Sequence, residues 1–473
     1  MKVEQWTWRC GVMLAACIGM AGCATYHPLP LGSGHGPNSV ADVTVPVASM
    51  PTAALRAYPF DPANGLDVTE VAMLAVANDP QLEVERDKAG VAHAQAYAAG
   101  LLPDPQLNYE HDRPAADSPP GTTTAYTAGL TFDLGNLITR SARVKSARAG
   151  AQEVDLNLLW SEWQAIAEAR TLFDRVYFLR ERVQRLEREH AALAPMQAAI
   201  TRALHSGDLT YDVAGSGLSA AADAASQLGD AQRQLHQAEH DLHNLLGLNA
   251  ALPLPLTGAP FAVDPTEDEV QRALADMANR RPDLLALEAG YRAQDEKLRA
   301  AILAQFPAIT VGFVKARDNG NISSNGLSVS LSLPLFDGNR GNIAIERATR
   351  QQLHDEYSAR LLNDRNDVQQ MMQDLQSDRA LHATLAGHAA QLAEAREAAE
   401  TNYAAGRLDW PTYLAIRANS LAADTALLTL EQDTHATAIA LDALVGNWPD
   451  AALSGDDQQH GSTKDAKNAK NSQ

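Results

Sequence analysis

Leu327-Ser328-Val329-Ser330-Leu331-Ser332-Leu333 alternates aliphatic and hydroxyl side chains without a break. Successive side chains of a strand point to opposite faces, so this run has one apolar face and one small polar face. Three other runs share the period. Residues 105–112 place Leu107 and Tyr109 on one face. Tyr126, Ala128, Leu130, Phe132 and Leu134 alternate with Thr127, Gly129, Thr131 and Asp133, and Ile309, Val311 and Phe313 begin the last run. Alternation over about eight to eleven residues fits a tilted membrane strand, apolar toward lipid and polar toward a lumen. It also fits a half-buried strand of a soluble sheet. The four runs form two pairs. Within each pair the strands are separated by turn-rich stretches, residues 113–123 with three prolines and residues 318–325, which read as exposed hairpin tips.

Outward from the strands the pattern becomes helical. From Asn136 to about His205 Pro195 is the only proline, and from Gly341 to about Ala405 there is none. Each run predicts a helix of roughly 65–70 residues, about 100 Å at 1.5 Å per residue. Helices of that length belong in coiled coils or bundles. Each is followed by a turn and a second helix ending near Gly247 or Gly446.

The chain is also an internal repeat. Asn78-Asp79-Pro80-Gln81-Leu82 recurs as Arg281-Pro282-Asp283-Leu284, Leu102-Pro103-Asp104 as Phe306-Pro307-Ala308, and Phe132-Asp133 as Phe336-Asp337. Gly207-Asp208-Leu209 recurs as Gly406-Arg407-Leu408, and Leu246-Gly247 as Val445-Gly446. The order never changes, at a period of roughly 200 residues, the signature of a duplicated unit. The expected organisation is a signal peptide over 1–22, a tether over 23–66, a first repeat over 67–248, a proline-rich linker over 249–265, a second repeat over 266–447, and a disordered polar tail over 448–473. Within the repeats, strands are expected over about 105–134 and 308–336, and long helices over about 136–247 and 341–446.

The composition of the 473 residues agrees with long helices: aromatics are only 5%, too few for ordinary globular cores. Lys plus Arg is 38 against 58 Asp plus Glu, a net charge of −20 that argues against nucleic-acid partners. The three cysteines, Cys10, Cys17 and Cys23, all lie at the N-terminus, so nothing downstream forms a disulfide or a thiolate site. There Lys2 and Arg9 precede a short apolar run from Cys10 to Met20. This reads as a secretory signal too short to span a bilayer. It ends in Met20-Ala21-Gly22-Cys23, small residues before a cysteine able to carry a lipid, with Leu14-Ala15-Ala16-Cys17 as the alternative. No later segment has 18 uninterrupted apolar residues. If the mature chain crosses a membrane it therefore does so with strands. Four strands cannot close a barrel, whereas three copies give twelve.

The sequence resembles the TolC-like outer-membrane factors of tripartite efflux systems. The resemblance is carried by Cys23-Ala24-Thr25-Tyr26, by Asp67-Val68-Thr69 leading to Asn78-Asp79-Pro80, by Leu333-Pro334-Leu335-Phe336-Asp337-Gly338-Asn339, and by the paired Gly-x-Leu turns. It implies a mostly α chain with four β-strands, a homotrimer with a twelve-stranded transmembrane barrel, and a long periplasmic helical tunnel anchored by lipid at Cys23. It further implies a periplasmic adaptor and an inner-membrane pump, expected to be proton-driven. Gly207 and Gly406 would turn the long helices at the periplasmic tips, and Leu209 and Leu408 would meet the adaptor as exposed apolar residues. The bland alternative is that the glycines are helix caps and the leucines pack locally. Some members of the family carry two carboxylates beyond the second tip. Thr412 and Ala415 stand there instead, so that gate does not carry over. Asp208, Asp212 and Asp409 could form a ring of negative charge by symmetry, or be solvated turn carboxylates.

His236, His240 and His243 share one helical face, a weak metal candidate beside the plainer reading of a solvated face. No nucleophile elbow, His-Glu-x-x-His or phosphate-binding loop is present, so no enzyme activity and no cofactor are expected. The expected function is a passive outer-membrane exit duct for small molecules. The alternatives are an exit duct for secreted proteins and a structural coiled-coil lipoprotein spanning the periplasm.

Overall fold

In the computed structural model, residues 26–446 are described, apart from 33–36, 38, 41–42, 116–117, 261–264 and the side chain of Asp212. Cys23 and Cys17, the signal segment and the tail from 448 lie outside the described residues. Contacts divide the chain at Gly36. Of the first unit, residues 26–32 are exposed and without regular structure.

In the second unit a short helix α1 (Ala53–Ala57) leads into two matching halves. The first comprises α2 (Val68–Asn78), α3 (Pro80–Gly100), β1 (Gln106–Asp112), β2 (Ala125–Asp133), α4 (Gly135–Ser206) and α5 (Tyr211–Leu245). The second comprises α6 (Glu267–Arg280), α7 (Pro282–Leu303), β3 (Ala308–Arg317), β4 (Ser323–Ser332), α8 (Arg340–Ala404) and α9 (Trp410–Val445). The fold is mostly α with one small sheet.

Local chemistry sets the boundaries. Each half opens on a capping box: Asp67 accepts the Glu70 N–H while Glu70 accepts the Asp67 N–H, and Thr266 and Glu269 exchange the same bonds. Pro80 and Pro282 then end the first helix of each half. A residue before proline is driven to extended backbone, as Asp79 (ψ 120°) and Arg281 (ψ 123°) are. α4 has 72 residues and α8 has 65, about 100 Å each. β4 ends at Ser332, short of the Phe336 expected from the repeat, because Pro334 has no N–H for a ladder.

The main core lies where α2 crosses α4 and α5. Val71, Ala72, Met73, Leu74 and Ala75 are fully buried there against Trp163, Ile166, Phe173, Val176 and Leu242. Val40, Val43, Val45 and Val47 of the N-terminal strap pack on the same cluster. The second half has a smaller core of Val270, Ala273, Val368, Leu375, Ala438, Leu441 and Val445. No helix among the described residues is long and apolar enough to cross a membrane.

Candidate functional site: the sheet faces and the helical tips

The strands form one antiparallel sheet in the order β1-β2-β3-β4. Its register decides what each face carries. Leu107, Leu130, Phe313 and Leu327 stand in one row across all four strands. The next row toward the helices holds Phe132, Val311 and Val329, and the one after it Ile309 and Leu331. Leu107, Leu130, Phe313, Leu327, Val329 and Leu331 are all exposed in the chain. Burying this face against hydrocarbon would remove an apolar patch that water does not tolerate well. The opposite face carries Asn108, Thr131, Gly129, Thr310, Gly312, Ser328 and Ser330. These residues are small and hydroxyl-rich. β1 and β4 are edges, each with one side of its backbone unpaired among the described residues.

At the other end of the long helices, α4 turns into α5 and α8 into α9. Gly207 (φ 79°) and Gly406 (φ 69°) adopt the left-handed conformation that closes a helix, and a Cβ on either would meet nothing within 4 Å. The turns differ from expectation in one respect. Leu209 and Leu408 are half-buried, not exposed. The Asp208 and Leu209 N–H groups both donate to the Ala203 carbonyl, at 2.9 and 3.1 Å, folding Leu209 back over the last helical turn. Arg407 N–H does the same to Asn402, at 2.8 Å.

The tip carboxylates have local partners. Asp208 accepts the Ser206 hydroxyl at 2.6 Å. Asp409 is the N-cap of α9, accepting the Thr412 N–H at 2.9 Å, and bonds to the Thr412 side chain and backbone hold its carboxyl below its usual range. Asp212 lies in the first turn of α5, its side chain outside the described residues.

What joins the two tip hairpins was not visible in the sequence. Arg417 of α9 donates twice to Glu189 of α4, Nε to Oε1 at 3.1 Å and Nη2 to Oε2 at 2.6 Å, and once to the Tyr413 hydroxyl at 2.8 Å. Burial works against the Arg417 charge, and Glu189 and Tyr413 more than compensate, raising its pKa further. Tyr413 stacks on Tyr403 with ring centroids 4.5 Å apart, and Trp410 lies against Gly217. Glu189 and Arg417 are 228 residues apart, so no local motif marks them.

Of the histidine trio, His236 and His240 are exposed and His243 is buried. The His243 ring nitrogens face the carbonyls of Glu239 (2.6 Å) and Leu252 (2.8 Å), which occupies both of them. Among the described residues no group of three or more His, Cys, Asp or Glu is placed to hold a metal ion.

Comparison with known proteins gives the fold, and a family match over part of the chain. Residues 273–447 match the family model described as outer membrane efflux protein. No curated protein sequence matches the chain. Solved structures do. CusC, studied for transmembrane channel formation, is 19% identical with a TM-score of 0.64, over 87% of this chain and 99% of that one. A membrane protein from Pseudomonas aeruginosa is 18% identical with a TM-score of 0.69, over 90% and 97%. The MtrE outer membrane channel of Neisseria gonorrhoeae, in its open state, is 17% identical with a TM-score of 0.67, over 90% and 98%.

Proposed function

We propose that three copies of the chain, whose residues 273–447 match the outer membrane efflux protein model, assemble into a passive exit duct across the outer membrane. One observation carries this reading: a four-stranded sheet with an apolar face, a small polar face and two unpaired edges. An open sheet edge cannot stand in hydrocarbon, and three copies joined edge to edge give a closed barrel of twelve strands. The apolar rows then face lipid and the serine, threonine and glycine rows line the lumen. The long helices continue the lumen into the periplasm. A structural coiled-coil rod would have no use for such a sheet.

The duct conducts small molecules, and the energy comes from a partner, an inner-membrane pump driven by protons. A periplasmic adaptor docks on the tips around Gly207, Leu209, Gly406 and Leu408. Asp208, Asp212 and Asp409 repeat around the aperture by symmetry, while Asp208 and Asp409 also serve their own turns. Cys23 carries the lipid that holds the N-terminus in the membrane. Cys23→Ala should abolish fatty-acid labelling; labelling that persists would move the anchor to Cys17.

The two sheet faces supply the test of the duct itself. Val329 and Ser328 are adjacent but point to opposite faces. Val329→Arg puts a charge in lipid at roughly 2–4 kcal/mol and should block insertion. Ser328→Arg should insert normally and alter single-channel conductance and ion selectivity in planar bilayers. Equal behaviour of the two variants would refute the barrel.

A further inference from the structure

The charged residues of the sheet are sorted completely by face. Its carboxylates, Glu110, Asp112 and Asp133, all lie on the polar face. Its bases, Lys315 and Arg317, lie on the apolar face, as does His111. In a chain with 58 acidic and 38 basic residues this is not the composition expected of a random patch. The bases are also confined to one end. Above the row of Leu107, Leu130, Phe313 and Leu327 comes the row of Tyr109, Ala128, Lys315 and Asn325, and above that His111, Tyr126 and Arg317. This is the hairpin-tip end, remote from the helices.

Two cations stand close together at that end of the apolar face. Arg317 lies over the Tyr126 ring at 5.3 Å, and its Nη2 donates to the Thr124 carbonyl at 3.1 Å. These contacts hold the guanidinium flat against the wall while its Nε, shielded from solvent, has no hydrogen-bond partner. Lys315 is exposed on the same strand two residues away, about 7 Å along the chain, a span that one phosphate group can bridge. Tyr109 and His111 stand in the same two rows on β1, one strand beyond β2, their rings stacked at 6.4 Å. Directly below, the aliphatic and phenylalanine rows offer a surface for acyl chains.

We infer that Lys315 and Arg317 bind the phosphate of a lipid headgroup in the outer leaflet, with the acyl chains laid on the rows of Leu107, Leu130, Phe313 and Leu327. The inference rests on the barrel reading, since only a lipid-facing wall meets headgroups at this height. Charge complementarity selects the occupant: a phosphomonoester supplies an anionic acceptor for the Lys315 ammonium and for the guanidinium of Arg317 beyond its bond to Thr124, and its tails match the rows beneath. Three copies give three such sites around the barrel.

The test uses the full-length detergent-purified protein, with bound lipid counted by native mass spectrometry. The probes are dioleoyl phosphatidic acid, dioleoylglycerol with the same tails and no phosphate, and inorganic phosphate as competitor. Wild type should retain phosphatidic acid and not dioleoylglycerol. The double variant Lys315→Gln/Arg317→Gln should retain at least fivefold less, while Glu110→Gln on the opposite face should match wild type. If the double variant does not assemble, Lys315→Gln alone, at an exposed position, should still lower retention at least twofold. Equal retention of both lipids, or undiminished retention in the variants, overturns the inference. Complete displacement by millimolar inorganic phosphate would overturn the lipid assignment in favour of a free anion. Conductance of the variants is measured in parallel, so an intact channel with unchanged lipid retention sinks this site and leaves the duct standing.

Discussion

α4 and α8 occupy the same place in the two repeats and are buried very differently. α4 buries Trp163, Ile166, Leu172, Phe173, Val176, Phe178 and Leu179 among others, flanked by α2, α3, α5, α7 and α9. α8, nearly as long, buries only Asp364, Val368, Leu375, Ala389 and Ala399, and rests on α7, α9 and a corner of α6. α4 is an interior element of the chain; α8 is an edge. Ile345, Leu362 and Leu381 stand exposed on it, as Val84, Val91 and Tyr97 do on α3. Burying such residues is worth about 1.5–3 kcal/mol each. The sheet repeats the lesson, since β1 and β4 end it as α3 and α8 end the helical layer. The first half is the better packed of the two, and on the proposed duct the open side of the second is where another copy docks.

The repeats also solve one joint in two ways, which gives the comparison with the largest expected effect. In the first, Asn78 donates to the Leu246 carbonyl at 2.5 Å. In the second, fully buried Arg281 donates to the Leu444 carbonyl at 3.2 Å and pairs with Asp283 (2.5 Å) and Asp364 (2.9 Å), with Arg360 on the same carboxylates. Arg281→Leu leaves two buried carboxylates with only the half-exposed Arg360 between them and should cost about 3–5 kcal/mol. Asn78→Ala loses one bond to a buried carbonyl and should cost about 1–2 kcal/mol. Thermal midpoints in detergent check both, and equal losses would dissolve the contrast.

Smaller effects separate the glycines. Gly247 and Gly406 share a positive φ, at 59° and 69°, but a Cβ on Gly247 would lie 2.4 Å from the Asn78 carbonyl oxygen whereas Gly406 has open space. Gly247→Ala should cost about 2–4 kcal/mol, combining backbone strain with a clash. Gly406→Ala should cost only the strain, about 1–2 kcal/mol. A larger loss at Gly406 would mean that the tip is packed by something the single chain does not contain.

The smallest effect depends on pH. Burial beside α7 pushes the Glu153 carboxyl above its usual value, opposed by Lys297 and reinforced by Glu356. A raised carboxyl destabilises the fold while ionised, and the penalty fades as pH falls through that raised value. Glu153→Gln should therefore be more stable than wild type at pH 7, with the gap closing toward pH 4.5, the carboxyl's unshifted value. The exposed Glu356→Gln should gain less. A gap independent of pH would assign the gain to packing.

Much of this was legible in the sequence. Period-2 alternation placed all four strands, because successive side chains of a strand fall on opposite faces and the two faces of this sheet differ in polarity. The repeat landmarks Pro80 and Pro282 fell at helix boundaries because proline imposes them locally. The capping boxes at Asp67 and Thr266 are equally local, since Glu70 and Glu269 follow at the diagnostic spacing. The leucines at 209 and 408 were expected outside because the turn's return bonds to Ala203 and Asn402 depend on backbone geometry. Arg281 was visible only as a landmark. Its carboxylate Asp364 and the Glu189–Arg417 pair join elements far apart in the chain, and no spacing rule connects them.

Oligomeric state tests the central claim most directly. In the proposed duct the edges at α8, α3, β1 and β4 meet other copies of the chain, and the barrel closes with three. Mass measurement of the detergent-purified protein should give three chains per particle, with no stable monomer at membrane-protein concentrations. A monodisperse monomer that retains the sheet and conducts in bilayers would contradict the account.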